Sequence, residues 1–306
     1  MKLGFSLPQL GPHVSPEGVR EVAQRGEEMG YYSAWVFERL LWPLEPQTPY
    51  DSTPDGSWPD EYRIVYDPIE TLTFAAAHTR TIKVGTGVMI LPYHQPVMLG
   101  RRLATLDVLS GGRLLCGVGL GYSKDEFEAS GKPYEKRGRR SDEFLRALMA
   151  VWGEDPVEFH GEYYHIPKSF IGPKPIQKPR PPIYWGGGGL KNLRRAVTSG
   201  DGWHPSGFTS FDALSKDIST LQGMWQEAGR DLGSLEVILW YIPIVTESPL
   251  GTDRAPLTGS LDQIKSDAQR LAQMGVTQLV IDFRFTPEDA PIPATLRRLE
   301  QLRSIV

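Results

Sequence analysis

A chain of 306 residues with 40% apolar and 23% charged side chains has the makeup of an ordinary globular protein, long enough for one α/β barrel or two smaller domains. Its 33 basic and 37 acidic side chains leave a net charge of −4 with no long run of either sign, which argues against a dedicated nucleic-acid surface. The single cysteine, Cys116, excludes an intrachain disulfide and a cysteine-built zinc site. No apolar run approaches the roughly 18 residues of a membrane span, and the chain starts on a strand-like stretch rather than a signal-peptide core, so a cytoplasmic protein is expected.

The first strand is Lys2 to Leu7, stopped by Pro8. Ser15-Pro16 then starts a helix, serine as cap and proline at the first helical position, with Val19, Val22, Ala23, Gly26 and Met29 on its buried face. Ser33 to Phe37 is the second strand, and Glu38-Arg39 stand at its end. Residues 40–67 form a long segment with five prolines and with Trp42, Tyr50, Trp58, Tyr62 and Tyr66. Such a stretch is functional or disordered, and its aromatic content argues for an ordered lid. Pro68 opens a helix to about Thr79. Ile82 to Leu91 is the third strand, and Leu99, Leu103 and Leu106 mark one face of the helix after it. Gly111-Gly112 closes that helix through the left-handed conformation a C-cap wants. Arg113 to Gly121 returns as the fourth strand. Strands three and four are apolar without alternation, as in strands buried on both faces. They also carry Gly85, Gly87, Gly117, Gly119 and Gly121. Glycine weakens a strand unless a bulge, a bend or a close ligand needs the room, so a flat ligand is expected against their ends.

Ser141 to Trp152 reads as a helix. An excursion over residues 153–180 holds a small hairpin, Val157 to Tyr164, turning near Gly161. Pro181 to Trp185 is the fifth strand, and Gly186 to Gly189 run into a helix marked by Leu190, Leu193 and Val197. Gly202 to Pro205 is the sixth strand, followed by a helix with Leu214, Ile218, Leu221 and Trp225. Val237 to Val245 is the seventh strand, with Ile264, Ala268 and Leu271 on the next helix. Gln278 to Phe283 is the eighth, and Leu299, Leu302 and Val306 lie on the last helix. Strands alternating with helices imply a parallel sheet with right-handed crossovers. Eight such units close a (β/α)8 TIM barrel, with an open doubly wound sheet as the second choice. No linker and no repeat divides the chain, so residues 1–306 are taken as a single domain with 40–67 and 153–180 as insertions.

A barrel places chemistry at the C-terminal strand ends: Glu38-Arg39, Thr86 to Leu91, Gly119 to Tyr122, Gly186 to Gly189, His204, Tyr241 and Asp282 to Arg284. The run of glycines from Gly186 to Gly189 is the sharpest signal. Bare backbone lets several N–H groups converge, and a helix N-terminus adds about half a positive charge. A phosphate suits it, against the plainer reading of a flexible turn. It is not a P-loop, since no Gly-Lys-Ser/Thr follows. Gly117-x-Gly119-x-Gly121 lacks the dinucleotide spacing, and close packing of backbone against a ligand or a neighbouring strand explains it equally well. Glu38-Arg39 is either a surface ion pair or a site pair, with Glu38 as proton donor or acceptor and Arg39 tuning its charge or binding an anion. The histidines show no metal-ligand pattern, so no metal is expected. Trp42, His94 and His204 are substrate-pocket candidates, each with a structural reading beside it. Cys116, in an apolar strand, reads as a core side chain.

Several strings together resemble the luciferase-like monooxygenase superfamily. They are Pro92-Tyr93-His94-Gln95-Pro96, Leu103 to Arg113, Gly117 to Tyr122 with Glu126-Phe127 after it, Pro181-Pro182-Ile183 with the glycine loop, Leu193 to Ala196 and Gly200-Asp201-Gly202-Trp203. The resemblance spans essentially the whole chain and is nearest the branch that uses the deazaflavin coenzyme F420. It implies a TIM barrel whose cofactor phosphate lies near strand five, on Gly186, Gly187, Gly188, Gly189 and Leu190. Thr86, Gly87 and Val88 would form a bulge behind the ring, with a non-proline cis peptide at Gly87–Val88, and Gly121 and Tyr122 would line the ring or its chain. Many deazaflavin relatives have an acid followed by histidine at the end of strand two. Here the pair is Glu38-Arg39, which leaves Glu38, Tyr122, His94 or water as proton carrier. The implied activity is F420-dependent hydride transfer to or from a small organic substrate. An FMN-dependent two-component monooxygenase is the alternative, and a catalytically silent flavin-binding protein is the alternative of another class. A small-molecule substrate is the expected partner, with a homo-oligomer and a separate cofactor reductase admitted, and neither nucleic acid nor membrane.

Overall fold

The computed structural model describes residues 1–50, 53, 55–205, 208, 210–283 and 291–306. Among them, β1 (Lys2–Ser6), β2 (Ser33–Val36), β3 (Lys83–Ile90), β4 (Leu114–Gly119), β5 (Ile183–Gly186), β6 (Gly202–His204), β7 (Glu236–Tyr241) and β8 (Gln278–Ile281) close a barrel in sequence order, each parallel to both neighbours. The intervening helices are α1 (Pro16–Glu28), α2 (Pro68–His78), α3 (Pro96–Leu109), α4 (Arg137–Trp152), α5 (Leu190–Ser199), α6 (Phe211–Glu227), α7 (Leu261–Met274) and α8 (Pro291–Leu302), with an extra short helix, Lys124–Ala129, after β4. This is the expected (β/α)8 architecture. No helix among the described residues is long and apolar enough to cross a membrane.

Local signals explain the element ends. Ser15 accepts a hydrogen bond from the Gly18 N–H ahead of Pro16, and Asp67 does the same for Ile69 ahead of Pro68. Gly111 and Gly112 take φ of +67° and +79° after α3, conformations that side chains disfavour. The barrel interior is filled by Trp35, Leu115, Tyr184, Ile238 and Val280, a packed plug rather than a pore. A wider shell of aliphatic side chains joins the strands to the helices, and Cys116 lies in it as a buried free thiol.

Three expectations change. The seventh strand stops at Tyr241, and Ile244–Val245 leaves to pair with Thr258–Gly259, because Pro243 has no N–H for the barrel ladder. The excursion's hairpin pairs Val157–His160 with His165–Ser169, so Glu162 to Tyr164 are turn, not strand. The reason is Glu143 of α4, whose carboxylate accepts the N–H groups of Glu162, Tyr163 and Tyr164 at 2.9, 2.6 and 2.8 Å, which removes them from any ladder. Leu190 is 56% exposed rather than on the buried face of α5, since it opens the helix at the barrel rim.

Candidate active site at the barrel mouth

The glycines of β3 and β4 have a structural cause. The β3–β4 register shifts between Thr86 and Met89, which is the expected bulge. A Cβ on Gly117 would overlap the carbonyl oxygens of Thr86 and Gly87, and one on Gly119 would overlap the Val88 side chain. Gly85 makes room for the Trp35 indole, and a Cβ on Gly87 would lie 2.8 Å from the Trp240 ring. Protein atoms therefore occupy the room that Gly85, Gly87, Gly117 and Gly119 leave within and between these strands. The bulge also carries no cis bond at Gly87–Val88, since the cis bonds among the described residues all precede proline. An extra residue taken up by a register shift in trans avoids the about 3–4 kcal/mol of a non-proline cis bond. Val88 remains half-buried at the rim, where a Cβ on Gly186 would meet it at 2.9 Å.

Glu38 and His94 come together at the ends of β2 and β3. His94 Nε2 lies 2.7 Å from Glu38 Oε1, and the Ile90 N–H donates to Glu38 Oε2 at 2.6 Å. An ionised carboxylate can only accept, so opposite ionised Glu38 the imidazole donates from Nε2. The Glu38 side chain is buried while His94 keeps 17% of its side-chain surface exposed. Arg39 turns the other way. Its guanidinium donates to Tyr122 Oη at 2.9 Å and to Glu126 Oε2 at 3.3 Å, and lies 5.0–5.7 Å from the ring centres of Tyr50, Trp58, Tyr62 and Tyr122. Burial opposes its charge, yet Glu126 and the tyrosines outweigh that and hold its pKa above the ordinary arginine value. Arg39 Nε is buried with no hydrogen-bond partner among the described residues. Arg39 is thus an internal cation of the mouth wall, neither an exposed ion pair nor a partner of Glu38.

The described residues of the segment after β2 gather around that cation. Tyr50, Trp58 and Tyr62 are buried with Phe37, and Trp42 packs on them, its indole N–H 3.3 Å from the Trp58 carbonyl. Arg63 covers the Trp42 ring at 4.3 Å. Trp42 therefore stiffens this wall. The short helix Lys124–Ala129 clasps the same segment, Asp125 accepting the Gln47 and Thr48 N–H groups. His204, at the end of β6, is buried and stacks on Trp240 at 5.5 Å, with Nδ1 3.2 Å from the Pro205 carbonyl. Gly121 has φ of +71° and its carbonyl accepts from Arg137 Nε at 3.1 Å. Arg284, counted at the strand-eight end, lies outside the described residues.

Across the mouth, Gly186 to Gly189 lead into α5. The Gly187 N–H is committed to the His204 carbonyl at 3.0 Å, which removes it from the expected anion donors. The N–H groups of Gly188, Gly189 and Leu190 have no partner among the described residues, at an exposed helix N-terminus. Gly187 and Gly189 take φ of +103° and +80°, so these two positions need glycine. The Asn192 amide donates to the Gly188 carbonyl at 3.0 Å and turns that acceptor away from the exposed N–H groups. An anion suits the loop. No three His, Cys, Asp or Glu side chains among the described residues converge as a metal site.

Sequence reading passed over Glu126, Tyr93 and Trp58 as site residues. Glu126 is 1% exposed and accepts from the Leu40 N–H, Arg39 and the Tyr93 hydroxyl. Burial pushes its carboxyl above the ordinary range, and Arg39, Leu40 and Tyr93 pull it part of the way back. Its one sequence signal was the Glu126-Phe127 pair after Tyr122.

A closed parallel barrel with an acid–imidazole pair and a donor-rich glycine loop at its mouth is an enzyme scaffold. The chain belongs to the luciferase-like monooxygenase family, whose model matches residues 1–255. An uncharacterized protein of Mycobacterium tuberculosis (strain H37Rv) is 31% identical over 287 residues, 91% of each chain. The FMNH2-dependent dimethylsulfone monooxygenase of Pseudomonas putida is 33% identical over 149 residues, 48% of this chain and 40% of that one. In fold, the chain is similar to a monooxygenase from Streptomyces bottropensis (TM-score 0.83, 20% identity, 100% and 98% of the two chains). It is also similar to the coenzyme F420-dependent tetrahydromethanopterin reductase of Methanopyrus kandleri (TM-score 0.74, 19% identity, 100% and 99%). The protein is an enzyme of the luciferase-like oxidoreductase and monooxygenase superfamily.

Proposed function

We propose that this enzyme is an F420-dependent oxidoreductase that moves a hydride between the deazaflavin and a small organic substrate, with Glu38 and His94 as its proton carriers. The observation that carries this reading is the 2.7 Å contact between His94 Nε2 and Glu38 Oε1 at the mouth. It supplies an imidazole where Arg39 stands in place of the histidine expected after an acid on strand two. The unpaired N–H groups of Gly188, Gly189 and Leu190 fit the phosphate of such a cofactor. Bound F420 would supply a two-electron carrier, chemistry that no side chain can perform. His94 would receive or deliver the substrate proton at its free ring nitrogen while Glu38 fixes the tautomer and steadies the imidazolium. The aromatic wall of Tyr50, Trp58 and Tyr62 would keep water from the reacting atoms.

An FMN-dependent monooxygenase supplied by a separate reductase is the second reading, favoured by the 33% identity to the dimethylsulfone monooxygenase. Absorbance titration of the purified protein with F420 and with FMN tests the two. Tight F420 binding with anaerobic, substrate-dependent bleaching supports the hydride reading. Oxygen uptake with reduced FMN supports the monooxygenase. Tight FMN binding without any F420 binding would end the first reading.

A further inference from the structure

Glu126 is a buried acid at the mouth that the proposed proton transfer does not use. Its three side-chain bonds go to the chain neighbours of Glu38 and His94. Oε1 accepts the N–H of Leu40, two residues past Glu38, at 2.9 Å. Oε2 accepts from Arg39, the next residue after Glu38, at 3.3 Å, and from the hydroxyl of Tyr93, the residue before His94, at 3.1 Å. The β2–β3 ladder ends at Val36 and Thr86, so sheet pairing does not set the distance between Glu38 and His94.

We infer that Glu126 is a positioning residue for the Glu38–His94 pair, one carboxylate that ties the segment after β2 to the turn after β3. Because it comes from a third segment, the short helix after β4, it can hold the other two against a common point. Its own placement is fixed: the Ser123 hydroxyl accepts its N–H at 3.3 Å, and Phe127 beside it packs on the Tyr93 ring at 4.9 Å. Arg39 is in turn held by four aromatic rings, so the charged bond to Glu126 lies in a poorly solvated wall, where such bonds are strong and directional. The inference rests on the reading of Glu38 and His94 as a working pair, and concerns how that pair is kept at bonding distance.

The test needs neither cofactor nor substrate. Nitrogen NMR of ring-labelled protein reports which nitrogen of His94 carries the proton, with the His94 signals assigned by their loss in His94→Gln. The wild type should show the proton fixed on Nε2. Glu38→Ala, which leaves no side-chain partner, should release it to the mixture of a free imidazole, and Glu126→Ala should do the same. Glu38→Ala combined with Glu126→Ala should add nothing further. Tyr93→Phe, which removes one bond and no charge, should give a partial release and guards against a misfolded Glu126 variant. Glu143→Gln, a buried carboxylate away from the mouth, should leave the His94 signals unchanged. A fixed His94 proton in both Glu126→Ala and Tyr93→Phe would overturn the positioning role. An unchanged His94 in Glu38→Ala would overturn the pair itself, which is a separate and recognisable failure.

Discussion

Glu38 and His94 stand 56 positions apart in the chain and meet at 2.7 Å, beyond the last paired residues of the adjacent parallel strands β2 and β3, which open on the same mouth. The imidazole arrives from the turn after β3, one strand over from the position where an acid–histidine pair would place it. Arg39, which holds that adjacent position, is instead locked into the wall by Glu126 and Tyr122.

Removing either member should lower turnover far more than binding. Glu38→Gln and His94→Gln are each expected to cut kcat by about 10²–10⁴ with little change in KM, the usual range for lost general acid–base help. Steady-state bleaching of the cofactor under anaerobic conditions gives both constants. A kcat within a few-fold of wild type in both variants would remove the pair from the mechanism.

Much of the barrel was legible because its punctuation is local. Pro16 and Pro68 after their caps, Gly111-Gly112 after α3, and unalternating apolar strands each follow from short-range chemistry that a sequence displays. The glycine loop was visible for the same reason. The pairing of Glu38 with His94 was not, since it depends on which strand ends become neighbours at angstrom distance. The strand glycines were legible only in part. Gly85, Gly87, Gly117 and Gly119 do mark missing side chains that something must replace, yet the occupants are Trp35, Trp240, Val88 and the bulge carbonyls. A sequence shows that room has been made, and only the packing shows for what.

The glycine loop should discriminate by phosphate. A side chain at Gly188 would crowd an anion drawn to the adjacent N–H groups, and losing one charge-assisted hydrogen bond costs about 1.5–3 kcal/mol. Gly188→Val is therefore expected to weaken F420 or FMN, whichever binds, by roughly 10- to 150-fold. The corresponding chromophore without its phosphate should bind equally to both proteins. Titration of FMN against riboflavin makes the comparison, and equal weakening of both would place the phosphate elsewhere.

Gly117 should tolerate no side chain. The carbonyl oxygens of Thr86 and Gly87 fill its Cβ position, and both belong to backbone that cannot rotate away as a side chain could. Gly117→Ala must push the β3 bulge outward, and overpacking of this kind costs about 1–3 kcal/mol. A lowered thermal midpoint together with weaker cofactor binding is the expected result. Wild-type values for both would mean that the bulge yields freely.

Glu143 makes a pH-dependent contribution to stability whose sign can be worked out. Burial raises its carboxyl, but the N–H groups of Tyr163, Tyr164 and Glu162 outweigh that and leave its pKa below the ordinary 4.5. An acid whose folded pKa is depressed contributes stability above its unfolded pKa and loses it as pH falls through the folded one. Glu143→Gln keeps one acceptor oxygen but turns amide hydrogens toward backbone donors, so at neutral pH it should be destabilised by about 1.5–3 kcal/mol, the worth of a charged hydrogen bond. The gap to wild type should persist down to about pH 4.5 and close below it, where the wild-type carboxyl is itself protonated. Thermal midpoints of both proteins across an acid series measure the gap, and faster hydrogen exchange at the Glu162, Tyr163 and Tyr164 amides of the variant would locate it in the hairpin turn. A gap that stays constant through the acid limb would show that the Glu143 charge is not what holds the turn.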